Sequence, residues 1–137
     1  MKQIFLALEF QDGRKYFNDY CHAIKEKLGT FFLEPILLEQ YAITFTPFSE
    51  WENGIEPCWH KAYNNIKHNR SENYKEANLK NTLLSLSALY TTVMHYYLCS
   101  AQIKTSINER NLLDIINSLS PHSKMMQFVN HYQSYFT

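Results

Sequence analysis

The longest apolar pattern in the chain lies in its second half, where no charged residue occurs between Asn81 and Ile103. Leu, Ala and Met recur through this stretch, as is typical of a helix. Ser71 is a candidate N-cap with Glu72 in the first turn, where a carboxylate meets the positive end of the helix dipole. The pattern predicts a helix from Ser71 to Gln102, roughly 48 Å long at about 1.5 Å per residue. We expect it to be buried at the centre of the molecule.

Two further helices are predicted before this one. An amphipathic helix begins near Arg14, and Gly29 is placed to end it. Pro57 can open a second helix from Cys58 to about His68, because proline is well tolerated in a first turn.

Two more helices are predicted after the central one. Ser106 and Glu109 form a capping box for the first of them. Ser120 and Pro121 start the second, whose apolar residues recur at helical spacing: Met125, Phe128, Val129, Tyr132 and Phe136. The segment 1–10 fits a strand or a buried helix equally well. Together the patterns predict an all-α bundle of about five helices, in a single domain over residues 1–137.

Residues 31–56 interrupt the helical pattern with Pro35, Pro47, Gly54 and the β-favouring run from Tyr41 to Phe45. We expect an irregular connector that can contain one short extended piece. Its aromatic side chains are too numerous to remain in water, so the connector should lie against the bundle. These residues are Phe31, Phe32, Tyr41, Phe45, Phe48 and Trp51.

Composition limits the alternatives. A chain of 137 residues can bury a core without metals or disulfides. Aromatic residues form 15% of it, whereas glycine and proline number three and four. This excludes an all-β sandwich and a disordered chain. The formal net charge is zero, so any binding of nucleic acid needs a local basic patch.

Charge is nevertheless segregated along the chain. Residues 31–57 contain five acids and no base, which gives −5, whereas residues 58–80 contain five bases and two acids, which gives +3. The two segments could neutralise each other on folding, or the second could supply the local basic patch.

The cysteines, Cys21, Cys58 and Cys99, share no metal-type spacing and indicate neither a disulfide framework nor a zinc site. No cofactor motif is present, so no cofactor is expected. The short apolar run near the start ends before a signal-peptide core could form, and the polar residues within 81–103 argue against a membrane span. We therefore expect a cytoplasmic protein that does not enter a membrane.

The best candidate for chemistry lies on the predicted helix from Cys58 to His68. His60, Asn64 and His68 follow at four-residue steps, so they share a stripe with Lys67 beside it, and Arg70 comes just beyond the helix end. This set suits metal-independent RNA cleavage, with His68 as base and Arg70 stabilising charge on the phosphate. His60, Asn64 and Lys67 would bind the substrate.

Alternatives remain open for these residues. The histidines could be partly exposed helix residues without a role, and Arg70 could pair with an acid of the connector. Metal binding by His60 and His68 is disfavoured, because eight residues is a poor spacing for two ligands on one helix face. His95 lies in the most apolar helix and is expected to be a buried core residue.

A longer pattern carries a family resemblance. It consists of Thr46-Pro47-Phe48-Ser49-Glu50-Trp51, then Trp59 with Ala62-Tyr63-Asn64, then Lys67-His68-Asn69-Arg70, and finally Tyr74, Ala77-Asn78-Leu79, Asn81 and Leu84. Over about residues 46–98 the chain resembles uncharacterised bacterial and phage-borne helical proteins with a YNxxKHxR-type motif, which are similar to the HEPN-like superfamily. The resemblance implies a helical bundle, often a homodimer with its site at the interface.

HEPN-like proteins include RNases of toxin and antiphage systems as well as non-catalytic nucleotide-binding or scaffold members. Catalytic members carry an Arg, a polar residue and then a His four to six residues beyond the Arg, which none of Arg14, Arg70 or Arg110 has here. The reversed order of His68 and Arg70 offers comparable groups.

Two functions are therefore predicted. The first is a HEPN-like intracellular protein of a defence or mobile-element setting that binds RNA or a nucleotide, with cleavage as an open question. The alternative is a non-catalytic helical module for protein interaction or dimerisation.

Overall fold

The structure is a computed structural model that describes residues 17–104 and 125–128. Its helices are α1 (Phe17–Lys27), α2 (Ser49–Glu52), α3 (Cys58–His68), α4 (Arg70–Asn73) and α5 (Leu79–Lys104). Its strands are β1 (Ile36–Leu38), β2 (Ile43–Phe45) and β3 (Gln127–Phe128), and 3₁₀ turns cover Gly29–Leu33, Glu39–Tyr41 and Tyr74–Glu76. The described residues are mostly helical, as predicted, but they also form a small sheet that the all-α prediction did not include.

Several predictions fall outside the described residues. These are the helix after Ser106, most of the helix after Pro121 and the ambiguous segment 1–10. The five-helix bundle and the single domain over residues 1–137 therefore remain predictions.

The main core is built largely by the segment predicted to be an irregular connector. In this core, side chains of the connector pack against side chains of α1 and α5. The buried residues of the core are Cys21, Ile24, Phe31, Phe32, Phe48, Trp51 and Ala88. Phe31 stacks on Phe48 with ring centroids 4.6 Å apart, and Phe32 meets Trp51 edge to face at 5.7 Å. The prediction that connector aromatics lie against the helices is confirmed for these four rings, each at most 1% exposed. It is wrong for Tyr41, which is 52% exposed.

The connector also contains more regular structure than predicted. β1 and β2 are antiparallel, with Ile36 opposite Phe45 and Leu38 opposite Ile43. The turn between them passes through Ala42, whose φ of 50° is in the left-handed region. The extended piece predicted within residues 41–45 is present as β2, but β1 was missed. A strand of three residues is too short for its alternating burial to stand out in a sequence.

The other edge of β1 pairs antiparallel with β3, where Ile36 lies opposite Phe128. The prediction of a helix is wrong at Gln127 and Phe128, because backbone partners supplied by a distant strand override local apolar spacing. Next to β3, Met126 is buried with Ile36 and Leu38 in a second cluster that packs against α5.

The long helix begins later than predicted. α5 starts at Leu79 rather than after Ser71, since the Oδ1 atom of Asn78 accepts the backbone N–H of Asn81 at 3.0 Å and caps the helix. Ser71 instead lies in the single-turn helix α4. At about 1.5 Å per residue, the 26 residues of α5 span about 39 Å.

The prediction that this helix is buried along its whole girth is also wrong. One face is buried against the connector core and the sheet, whereas the opposite face is exposed at Leu86, Leu89 and Val93. The described elements pack on one side of α5 only, so a helical period of 3.6 residues leaves the other side in contact with water. Within the described part of the chain, no helix is both long and apolar enough to cross a membrane.

Polar side chains on the buried face of α5 satisfy their own hydrogen bonds. Ser87 and Thr91 are fully buried, and their hydroxyls donate to the backbone oxygens of Leu83 at 2.9 Å and Ser87 at 3.0 Å. His95 lies one further turn along and meets the ring of Phe31 edge to face at 4.9 Å. Its predicted place in the core is confirmed, since it is 1% exposed.

We expect Trp51→Ala to lower the free energy of unfolding by about 4 kcal/mol, because it removes a fully buried ring from the main core. Urea denaturation followed by circular dichroism measures the change. Tyr41→Ala is the control, since it truncates an exposed ring of the same segment and should change stability by less than about 1 kcal/mol. Similar losses in the two variants would contradict this account of the core.

His95 predicts a pH dependence of stability. Burial lowers the pKa of its imidazole from the ordinary 6.5 to about 4. Between these values the unfolded chain binds a proton that the folded chain does not, so the free energy of unfolding falls as the pH decreases. The loss should reach about 3 kcal/mol near pH 4, with no contribution well above pH 6.5.

Denaturation midpoints of wild type and His95→Gln between pH 4 and 8 test this expectation. In His95→Gln the fall in the free energy of unfolding between pH 6.5 and pH 4 should be smaller than in the wild type. In His22→Gln, which replaces an exposed histidine of α1, the fall should be the same as in the wild type. An unchanged slope in His95→Gln would refute the assignment.

Candidate functional site

Helix α3 carries most of the predicted site residues, and the connector holds its first turn. The backbone N–H of Cys58 donates to Oε2 of Glu50 at 2.7 Å, so a carboxylate meets the positive end of the helix. The indole Nε1 of Trp59 donates to the backbone oxygen of Pro47 at 2.7 Å. α3 begins and ends at the predicted residues. Because its inner face is anchored, its outer face is displayed in a fixed orientation.

His60 and Asn64 lie together around an acid that sequence analysis did not assign to the site. Oε1 of Glu56 is 2.5 Å from Nδ1 of His60 and 3.1 Å from Nδ2 of Asn64. The amide nitrogen of Asn64 is also 3.4 Å from the same imidazole nitrogen. A carboxylate between the two residues repels phosphate, so this end of α3 is poorly suited to hold an anionic substrate.

His68, Arg70 and Lys67 form a second group at the other end of the helix. His68 is the last residue of α3, and Arg70 is the first residue of α4. All three side chains are exposed. Lys67 places its Nζ 5.8 Å from the centroid of the Tyr63 ring, a cation–π contact on the same helix.

The five predicted residues therefore do not converge at one point. His60 and His68 share a stripe of α3 as expected, but two helical turns separate them by about 12 Å along the axis. The group around Glu56 lies towards the start of α3, whereas the group that includes Arg70 lies where α3 ends and α4 begins.

A network of asparagine hydrogen bonds that sequence analysis missed joins α3 to α5. Nδ2 of Asn65 donates to both carboxylate oxygens of Glu76 at 3.1 Å, and Nδ2 of Asn81 donates to the backbone oxygen of Glu76 at 2.8 Å. Between them, Nδ2 of Asn73 donates to the backbone oxygen of Asn69 at 2.9 Å. The asparagines at positions 65, 69 and 73 could have indicated this network, because an asparagine amide readily bonds to nearby backbone groups where a chain turns.

The segment that forms this corner is rich in exposed bases. Five bases between positions 61 and 80 are exposed, and they are Lys61, Lys67, Arg70, Lys75 and Lys80. Within the described residues none of them forms an ion pair with an acid of the connector. Two of those acids bind elsewhere, since Glu50 contacts the start of α3 and Glu56 contacts His60. Neutralisation of the two charged segments by direct pairing is therefore not observed in this part of the chain.

Two tyrosines of the same segment are also exposed. The ring of Tyr63 is 56% exposed, and that of Tyr74 is 61% exposed. We call the residues 61–80, with these rings and the five bases, the basic aromatic segment. Exposed rings among cations can stack on planar groups whose phosphates the cations bind.

The described residues give no indication of a reactive cysteine or of a metal site. All three cysteines are free thiols. Burial, followed by the Glu50 carboxylate, raises the pKa of the Cys58 thiol, which disfavours the reactive thiolate at neutral pH. Burial also raises the pKa values of the Cys21 and Cys99 thiols. Among the residues described, no group of three or more His, Cys, Asp or Glu side chains could hold a metal ion.

A cleft of about 460 Å³ lies away from the basic aromatic segment, between α1 and the turn after α2. Two of the side chains that line it are used in structural contacts. Nζ of Lys25 donates to the backbone oxygen of Glu52 at 3.1 Å, and Sγ of Cys21 donates to that of Trp51 at 3.1 Å. These bonds tie α1 to α2 and leave the cleft without an evident chemical role.

We expect Asn65→Asp to destabilise the protein by about 2 kcal/mol at neutral pH, since it replaces a donor with a second carboxylate beside Glu76. The loss should shrink below about pH 5, where one of the two carboxylates is protonated. Asn53→Asp, at an exposed turn, is the matched control and should change little. Urea denaturation at pH 7 and pH 4.5 measures both, and a loss independent of pH would contradict the described contact.

Comparison with protein-family models, with curated protein sequences and with solved structures finds no match to this chain, so the HEPN-like resemblance rests on its sequence pattern alone.

Proposed function

We propose that this protein binds single-stranded RNA through the basic aromatic segment. The observation that carries the proposal is the pair of tyrosines, each more than half exposed, within a run of five exposed bases. Proteins that bind single strands combine a cationic surface, which follows the phosphates, with aromatic rings on which bases stack.

The phosphates would be held at the end of α3 that carries Lys67, His68 and Arg70. These three side chains are exposed and lie within four residues of each other in the chain. The other end of α3 is less favourable, because Glu56 contacts His60 and Asn64 there. We therefore move the centre of the proposed site away from two of the five residues that the sequence indicated.

Charge supports a polyanionic ligand. Between positions 58 and 80 the chain has five bases against Glu72 and Glu76, a net charge of +3. Glu76 is half-buried, and its carboxylate is directed to Asn65 rather than to the outer surface. Because the exposed bases are spread over 20 residues, a strand with repeated phosphates suits them better than a single nucleotide does.

Stacking would supply the remaining affinity. The cation of Lys67 beside the Tyr63 ring puts a partner for phosphate next to a surface for a base. Tyr74 lies in the 3₁₀ turn that follows α4 and offers a second ring along the same segment.

Binding does not require cleavage, but two groups at this end of α3 have the chemistry for it. His68 could accept the proton of a ribose 2′-hydroxyl, and Arg70 could stabilise charge that develops on the phosphate. The sequence pattern of these residues suggested this role, although the Arg-then-His order of catalytic HEPN-like members is absent, and it remains part of the proposal.

Fluorescence anisotropy with an unstructured, labelled RNA of about 20 nucleotides tests binding. We expect Tyr63→Ala and Tyr74→Ala each to weaken binding by about 5- to 100-fold, which corresponds to the loss of one stacked base. In Lys67→Gln/Arg70→Gln, the slope of log affinity against log salt concentration should fall by about 1.4, or about 0.7 for each lost phosphate contact.

The matched controls lie outside the segment. Tyr41→Ala removes an exposed ring, and Lys25→Gln removes an exposed lysine of α1, so both should bind RNA as the wild type does. Equal losses in controls and site variants, or wild-type binding that does not depend on salt, would contradict the proposal. Incubation of the same RNA with wild type and His68→Ala, with and without a chelator, shows whether the bound strand is also cut.

A further inference from the structure

The exposed face of α5 carries an apolar seam. We define the seam as Leu79, Thr82, Leu86, Leu89, Val93 and Tyr97. Its five large apolar members are between 38% and 69% exposed. It lies opposite the face that packs on the main core, where Leu84, Ala88 and Thr91 are buried.

The spacing of the seam is that of a helix pair. From Leu79 to Val93 its residues follow at steps of three, four, three and four, and Tyr97 comes four residues later. Apolar residues that alternate in this way form the contact line between two helices in a coiled coil. One helix of a globular protein seldom exposes such a line to water without a partner.

Charge restricts what that partner is. Lys80 lies beside the first residue of the seam, but the helix has no charged residue from Asn81 to Ile103. From Thr82 to Tyr97, therefore, neither the seam nor the positions beside it offer a pairing site for a charged surface or for nucleic acid. The partner face must be apolar and without charge. The same seam on a second copy of this chain meets that requirement without any like-charge contact along the line.

We propose that two copies of the chain form a symmetric dimer through the seams of their α5 helices, in antiparallel orientation. Two identical faces pair about a two-fold axis. Antiparallel helices also place the positive end of each dipole beside the negative end of the other. The axis passes near Leu89, which lies at the centre of the seam and is 58% exposed.

The length of the seam limits the affinity of the proposed dimer. It spans 18 residue steps, or about 27 Å of helix. One helix face on each copy is near the lower limit for a stable interface, so the dimer should dissociate on dilution to about micromolar concentration. This proposal does not depend on RNA binding, because the basic aromatic segment and the seam have only Leu79 in common.

Sedimentation velocity of the full chain tests the dimer between about 1 and 100 μM. The wild type should pass from monomer to dimer over this range, whereas Leu89→Glu should stay monomeric with an unchanged circular dichroism spectrum. Leu33→Glu is the matched control, because it alters a leucine that is 54% exposed but lies outside the seam. It should dimerise as the wild type does.

Disulfide trapping tests the orientation. In a Cys58→Ser background, which removes the exposed thiol, Leu89→Cys should form a covalent dimer under mild oxidation because the axis brings the two thiols together. Leu79→Cys should not, since an antiparallel pair separates these positions by about 30 Å. Trapping at position 79 but not at 89 would overturn the antiparallel arrangement.

A wild type that stays monomeric at about 100 μM would overturn the dimer, as would equal dimerisation of wild type and Leu89→Glu. A monomeric wild type whose melting temperature falls in Leu89→Glu would also overturn it, because the seam would then be covered from within the same chain.

Discussion

The packing of the connector aromatics between α1 and α5 is the contact on which the rest of the structure depends. Phe31, Phe32, Phe48 and Trp51 are almost completely buried, and they fill the space that the two helices alone would leave open. Since each ring removes a large apolar area from water, this segment is fixed by its side chains rather than by long regular elements. α3 follows it directly, so the same packing fixes the helix that carries the candidate site.

The two faces of α5 have different surroundings, since one is buried against the core and the other is exposed. Towards the core, the hydroxyls of Ser87 and Thr91 bond to the preceding turn, so a polar residue can be buried without a partner from another element. Towards water, the helix displays apolar residues without a single charge between Asn81 and Ile103. Because α5 satisfies the hydrogen bonds of its own polar groups, it can pack on the core with one face and expose an uncharged apolar face on the other side.

Local sequence determined the parts of this protein that depend on neighbouring residues. The span of α3 follows from Pro57 and from apolar residues at helical spacing, and its ends were predicted to the residue. The burial of His95 and of four connector aromatics was also predictable, because side chains of this size and polarity have few alternatives in a helical protein. His68 and Arg70 were likewise placed correctly at the end of a helix, since that placement needs only the helix boundary.

Only the tertiary structure decided what depends on distant partners. β1 and β3 form because the backbone of one strand supplies hydrogen bonds to a segment about 90 residues away, which no local pattern reveals. Glu56 contacts His60 and Asn64 at one end of α3, away from His68 and Arg70. Asn78 rather than Ser71 caps α5, because the chain turns between α3 and α5. The sequence thus determined which residues are helical and which are cationic or aromatic, whereas packing decided which of them meet and which face water.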